Sequence, residues 1–279
     1  MAAAVARRSL PFGARARLIV NTHRLFAGLL SGLRINVICD VGSMNGADAL
    51  GFRDAVPDSS VYAFEPNPQN FRQMQMNRVF VERNIELVPL AATNIDGDAE
   101  FFLVDADYTR RDFRRGMSSL YKRPDDRGTA VPVRVKTTRL DTFLVDKCRP
   151  DARLALWIDT EGKAYEVIQG MVGIAERVHV IHIEVETVPC IGSNQKLYSE
   201  VKTLLHELGF AECATDQPSS ASQFNALFIR SDLSAMPRVR TRASLVHARL
   251  RRLLLGFARR VCPTCVRRYQ ATQSRAYDP

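Results

Sequence analysis

From residue 36 onward, short apolar runs alternate with amphipathic stretches. Residues 36–41 form an apolar run stopped by Gly42, the pattern of a strand buried on both faces. A short helix is expected after Gly46. Residues 61–64 are a second run, closed by Glu65 and Pro66, and residues 68–79 read as a helix with Pro68 in its first turn. A third strand is expected over 85–92. Residues 99–104 and 131–137 flank a polar, arginine-rich stretch and read as hairpin strands. Strands over 154–158, 178–185 and 224–229 then alternate with helices over 163–171 and 196–208, the latter ended by Gly209. Strand–helix alternation predicts an α/β fold: a mainly parallel sheet with helices on both faces, carrying a β-hairpin insertion between the third and fourth main strands.

Charge divides the chain further. Residues 1–39 carry six arginines and no acid, and residues 233–279 carry eleven arginines and one acid, Asp278. The 22 basic and 29 acidic residues between them leave the centre acidic, although the whole chain has a formal net charge of +9. Three parts are expected: a basic N-terminal extension over 1–34, a central domain over 35–232 and an arginine-rich amphipathic extension over 233–279. The first resembles an organellar transit peptide in composition, and equally suits a basic amphipathic helix lying on a membrane surface or packed on the domain. The last, with Leu250, Leu253, Leu254 and Phe257 among arginines, suits docking on an anionic membrane. It lacks the interleaved aromatics that stack nucleic-acid bases, so nucleic acid is not expected as a partner. The six cysteines show no disulfide framework, which points to a reducing compartment, cytoplasmic or membrane-associated. Cys262 and Cys265 form a lone CxxC, two of the four ligands a structural zinc needs.

The first strand ends in Asp40-Val-Gly-Ser-Met-Asn-Gly46. A strand feeding a glycine turn and then a helix aims backbone N–H groups at a ligand crevice. Glu65, about 20 residues on, stands where an acid binds the two hydroxyls of an adenosine ribose. Only Gly42 and Gly46 are present, with three residues between them, so the dense cradle a pyrophosphate needs is missing. An adenosyl cofactor without phosphates fits better than a dinucleotide.

Four segments, in order, resemble the FkbM-type methyltransferases: Asp40–Gly46; Val61-Tyr-Ala-Phe-Glu-Pro-Asn-Pro-Gln-Asn70; Thr138-Arg-Leu-Asp-Thr-Phe143; and Ile158-Asp-Thr-Glu-Gly162 with Val167-Ile-Gln-Gly170. The resemblance covers roughly residues 36–230. It implies a Rossmann-like class I methyltransferase fold with a seven-stranded sheet, and S-adenosylmethionine as donor. It also implies O-methylation of a sugar, glycolipid or polyketide-like hydroxyl. By position, Asp40, Gly42, Ser43, Asn45, Gly46, Glu65 and Pro66 would hold the cofactor, and Asn70 would cap or steady the helix after the second strand. Two positions depart from the pattern: Met44 stands where the family has Asn, and Ala164 where it has an acid.

A hydroxyl acceptor needs a general base. In open α/β sheets the site lies beyond the carboxyl ends of the strands. Asp159 and Glu161 end the fourth main strand, and Glu184 the fifth; these three are the expected catalytic residues. No metal is expected, though Asp159 with Glu184 offers carboxylates to a hard cation. His182 reads as a satisfied core histidine and Glu186 as a solvated strand end. The loop through Arg110, Arg111, Arg114 and Arg115, with Ser118 and Ser119, reads either as a cover over the acceptor that favours an anionic sugar or phosphate-bearing lipid, or as a solvated charged loop. A second reading keeps the fold without catalysis, as a protein docking on membrane or nucleic acid through its basic ends.

Overall fold

The computed structural model describes residues 19–104, 112–124 and 130–234. Its main sheet runs β3-β2-β1-β7-β8-β10-β9. At its centre β1 (Val37–Val41) lies parallel between β2 (Ser60–Phe64) and β7 (Leu154–Ile158). Every residue of β1 and β7 is buried, which is why both read as unbroken apolar runs rather than alternating ones. Outside them, β3 (Ile85–Val88) pairs with β2 and β8 (Val178–Glu186) with β7, both parallel. β10 (Gln223–Arg230) closes antiparallel on β8, and β9 (Phe210–Thr215) forms the edge.

Several elements depart from the sequence pattern. The run over 85–92 splits at Pro89, which has no N–H for a ladder. Its first half is β3, while β4 (Ala91–Ala92) joins a second, three-stranded sheet in the order β4-β6-β5. There β5 (Gly97–Leu103) and β6 (Val131–Thr138) make the expected antiparallel pair, so the insertion is a small sheet rather than a hairpin alone. The helix expected over 68–79 breaks at Asn77 and Arg78 into α3 (Pro68–Met76) and α4 (Val79–Glu82). Neither β9 nor the short helix α5 (Leu140–Leu144) was expected. The β9 sequence has no clean alternation, and its strand form comes from pairing along β10.

Within the basic N-terminal segment lies α1 (Thr22–Gly32), which packs on the domain. Its Leu25, Phe26, Leu29 and Leu30 are buried in one core layer with Phe52 of α2 (Ala47–Ala55) and Trp157 of β7. The domain drawn from residue 35 therefore gains core from residues ahead of it. On the opposite face α5, α6 (Ala164–Gln169) and α7 (Tyr198–Glu207) cover a second layer centred on Leu156, Ile158 and Val167. Among the described residues no helix is long and apolar enough to cross a membrane. The C-terminal amphipathic segment, Cys262 and Cys265 lie outside the described residues, as do Arg110, Arg111 and the side chain of Arg114.

Candidate functional site

The chain leaves β1 through a turn that glycine makes possible. Gly42 has φ +88°, and a Cβ there would stand 1.7 Å from the Asp159 carbonyl oxygen at the end of β7. Gly46, φ +75°, opens α2 under the Phe80 ring, which a Cβ would overlap. Both glycines thus serve close approach of protein, not only of ligand. Ser43 Oγ donates to Asp40 Oδ2 at 2.6 Å, and Ala49 N donates to the same oxygen at 3.2 Å. Asn45 Oδ1 accepts from Ala47 N at 3.0 Å. Asp40 is 1% exposed, and burial lifts its carboxyl to about 7.

Met44 sits at φ +52°, a strained backbone for a side chain of its size. The strain aims its N–H at Glu65, whose Oε2 accepts at 2.6 Å. Oε1 of Glu65 accepts from Asn67 N at 2.8 Å, and the Asn70 side chain adds a third hydrogen bond. Asn67, not Asn70, caps α3, its Oδ1 accepting from Gln69 N at 3.0 Å. Burial pushes Glu65 up to about 8 against the pull of these donors.

Gly42 and Glu65 face one cavity of about 380 Å³, within the range of small-molecule sites, roughly 300–1,000 Å³. Phe64, Leu90, Ala91 and Phe101 supply an apolar wall, and Asp159, Thr160 and Lys163 a polar one. The segment between β5 and β6 supplies a third wall through Arg115, Gly116, Ser118 and Leu120. Residues 119–123 are latched to the loop after β7 and the start of α6. Ser119 Oγ donates to the Glu161 carbonyl at 2.7 Å, Arg123 pairs with the Glu161 carboxylate, and Tyr121 Oη donates to Glu166 Oε1 at 3.2 Å.

Beside the cavity, Asp159, Glu161 and Glu184 bring carboxylate oxygens within 4.8 Å of one another. Glu161 sits at φ +48° and is followed by Gly162 at +91°, a second strained turn at the same edge. Burial, then the nearby charges of Asp159 and Glu161, push Glu184 up to about 10. It is therefore the protonated partner and donates to Asp159, itself raised by burial. Burial likewise raises Glu161 to about 7 despite Arg123. Oxygens at this spacing also suit a divalent cation, although acidic groups often cluster without one.

A model of the FkbM methyltransferase domain matches residues 40–211, more than half of the chain. The protein belongs to the FkbM methyltransferase family. Its methyl donor is S-adenosylmethionine, and the cavity fits that group: an acid, Glu65, at the end of β2, an apolar flank and a polar flank. The chain is 24% identical over 169 residues to the 2-O-methyltransferase NoeI of Sinorhizobium fredii, covering 58% of this chain and 65% of NoeI. Among solved structures, the precorrin-6y C5,15-methyltransferase of Geobacter metallireducens is similar at TM-score 0.38 and 16% identity, over 77% of this chain and 92% of that one. The N-terminal domain of EvdMO1, solved with SAH and D-fucose, is similar at TM-score 0.41 and 14% identity, over 75% of this chain and 80% of that one. At such low scores neither likeness adds to the family assignment.

In this FkbM-family chain the residues expected at the cofactor divide. Gly42, Glu65 and Pro66 line the cavity. Asp40, Ser43, Asn45 and Gly46 are not among its lining: Asp40 Oδ2 accepts from Ser43 and Ala49, and Asn45 Oδ1 accepts from Ala47 N. The departure at Met44 leaves the useful group intact, because the contact to Glu65 is made by backbone. Ala164 is buried at the start of α6, where an acid would face the core. Asp159, Glu161 and Glu184 come together as expected. Glu186 is not a solvated strand end: it is 2% exposed, and its Oε2 accepts from Gln195 Nε2 at 2.6 Å. His182 is a core residue as expected, stacked on Trp157 at 3.5 Å with Nε2 3.0 Å from Thr22 Oγ1, but its Nδ1 has no partner among the described residues. Thr160, Lys163, Leu90 and Phe101 were missed. Thr160 and Lys163 lie within the family-like segment after β7, the one available signal. The described part of the arginine loop walls the cofactor cavity.

Proposed function

We propose that this methyltransferase transfers the methyl group to a hydroxyl of a sugar-like or glycolipid acceptor, with Asp159 as the general base. The convergence of Asp159, Glu161 and Glu184 beside the Gly42–Glu65 cavity carries the reading. S-adenosylmethionine supplies a methyl group already activated on a sulfonium, so the protein's part is alignment, exclusion of water and removal of one proton. Glu65 and the Gly42 turn hold the donor. Glu161, fixed by Arg123, and Glu184 accept hydrogen bonds from, or donate them to, neighbouring hydroxyls of the acceptor. Asp159 would take the proton of the attacking hydroxyl, and the donor held at Glu65 and the Gly42 turn would supply the methyl group to that oxygen. The 2-O-methyltransferase name of NoeI supports transfer to oxygen.

The test is release of S-adenosylhomocysteine across sugar, glycolipid and polyketide acceptors. Asp159→Asn should lower the rate about 100-fold or more, as loss of a general base does, while cofactor affinity stays within about twofold. Full activity in that variant removes Asp159 as base. Turnover on amines and none on alcohols removes the O-transfer reading. For the donor side, Glu65→Ala should weaken S-adenosylmethionine binding about 100-fold by calorimetry, since charged hydrogen bonds at two hydroxyls are lost.

A further inference from the structure

The order of strands gives the bound cofactor a direction. Glu65 ends β2. Leu90 and Ala91 follow β3 on one side of it, while Gly42 and Asp159–Thr160 follow β1 and β7 on the other. The β3 side is apolar, with Phe64, Leu90, Phe101 and Leu120, and suits a flat base. The β7 side is polar, with Thr160 and Lys163, and suits the charged amino-acid end.

Each side holds one hydroxyl with hydrogen-bonding capacity left over. Ser118 is 7% exposed, and its Oγ accepts from Val104 N at 3.1 Å and from Asn67 Nδ2 at 3.5 Å. Both lone pairs are then occupied, and among the described residues its own O–H meets no acceptor. Thr160 Oγ1 is buried and without any partner among the described residues. A buried hydroxyl left unmatched is costly, and both of these stand on the cavity wall.

We propose that Ser118 donates its hydrogen bond to a ring nitrogen of the adenine, and that Thr160 hydrogen-bonds the amino-acid end of S-adenosylmethionine. Residues 115–120 are then part of the cofactor site and select the base, leaving the acceptor to enter beside Glu184. This rests on the cofactor reading of the Glu65 cavity.

Two ligands separate the ends: S-adenosylhomocysteine, and methylthioadenosine, which keeps the base and ribose but lacks the amino acid. Thr160→Val should weaken S-adenosylhomocysteine about three- to tenfold by calorimetry, the worth of one neutral hydrogen bond, and leave methylthioadenosine unchanged. Ser118→Ala should weaken both ligands by a similar factor, and Ser118→Thr, which keeps the hydroxyl, should restore both. Equal loss of the two ligands in Thr160→Val, or no loss in either, overturns the assignment of Thr160. Unchanged methylthioadenosine affinity in Ser118→Ala, or failure of Ser118→Thr to restore it, overturns that of Ser118. Wild-type protein that binds neither ligand overturns the cofactor reading itself, a result distinct from all of these.

Discussion

The two halves of the sheet's carboxyl edge are built by opposite means. At the ends of β1 and β2 each carboxylate is matched by donors: Asp40 by Ser43 and Ala49, Glu65 by Met44, Asn67 and Asn70. At the ends of β7 and β8 acids are crowded on acids: burial pushes Asp159, Glu161, Glu184 and Glu186 upward, and neighbouring carboxylates of the group add to the rise at Glu161, Glu184 and Glu186. Arg123 partly offsets this at Glu161. On the proposed reading the first half holds a molecule that always has the same shape. The second stores unfavourable electrostatics where a proton has to move, which is the arrangement expected of a reacting site.

The contrast breaks most severely at Gly42. Gly42→Ala sets a Cβ against the Asp159 carbonyl at a φ that side chains rarely adopt, and so disturbs both halves at once. It should cost about 3 kcal/mol or more in denaturant unfolding. Gly51→Ala in α2 meets nothing within 4 Å and should gain roughly 0.5 kcal/mol. Equal stability of the two variants would show that the turn is not wedged against β7.

A smaller effect sharpens the holder side. The two ribose hydroxyls favour the ionised form of Glu65, whose empty-site value lies at about 8 against an ordinary 4.5. Cofactor affinity should therefore rise as pH climbs toward 8, by up to about tenfold per pH unit, and level off above it. Calorimetry in buffers of different ionisation enthalpy should show a proton released on binding at pH 7. Glu65→Gln should flatten the profile, and an unchanged slope in that variant assigns the pH dependence elsewhere.

The smallest effect probes the crowded half. The folded state holds the Glu184 proton up to about 10, whereas the ordinary value is 4.5. Its burial therefore costs nothing at low pH, and progressively more as pH rises through that window. Glu184→Gln removes the cost. Its melting temperature should match wild type near pH 5 and exceed it by about 3 °C at pH 8, while methyl transfer falls. A constant difference at both pH values would mean that packing, not charge, separates the two proteins.

Much of this was legible in the chain itself. Strands buried on both faces have to be unbroken apolar runs, so β1 and β7 stand out, and the residues that end them fall at the ligand edge by topology alone. Gly42 and Glu65 were readable for that reason, as were Asp159, Glu161 and Glu184. Whether a polar side chain faces the ligand or its own turn is a matter of a few tenths of an ångström in backbone direction. Asp40, Ser43 and Asn45 were therefore read as cofactor residues, and their side chains hydrogen-bond within the turn and the start of α2.

Local pattern by itself determined the alternation of strands and helices, the glycine turn and the acid after the second strand, because burial and backbone sterics act on neighbours in sequence. Only tertiary packing decided that α1 belongs to the core, that β9 is a strand, and that Pro89 divides one apolar run between two sheets. It also decided that Ser118 reaches the cavity wall that Glu65 shares, 53 positions earlier in the chain. Contacts between residues so far apart depend on how whole elements pack, and no short window of sequence contains that information.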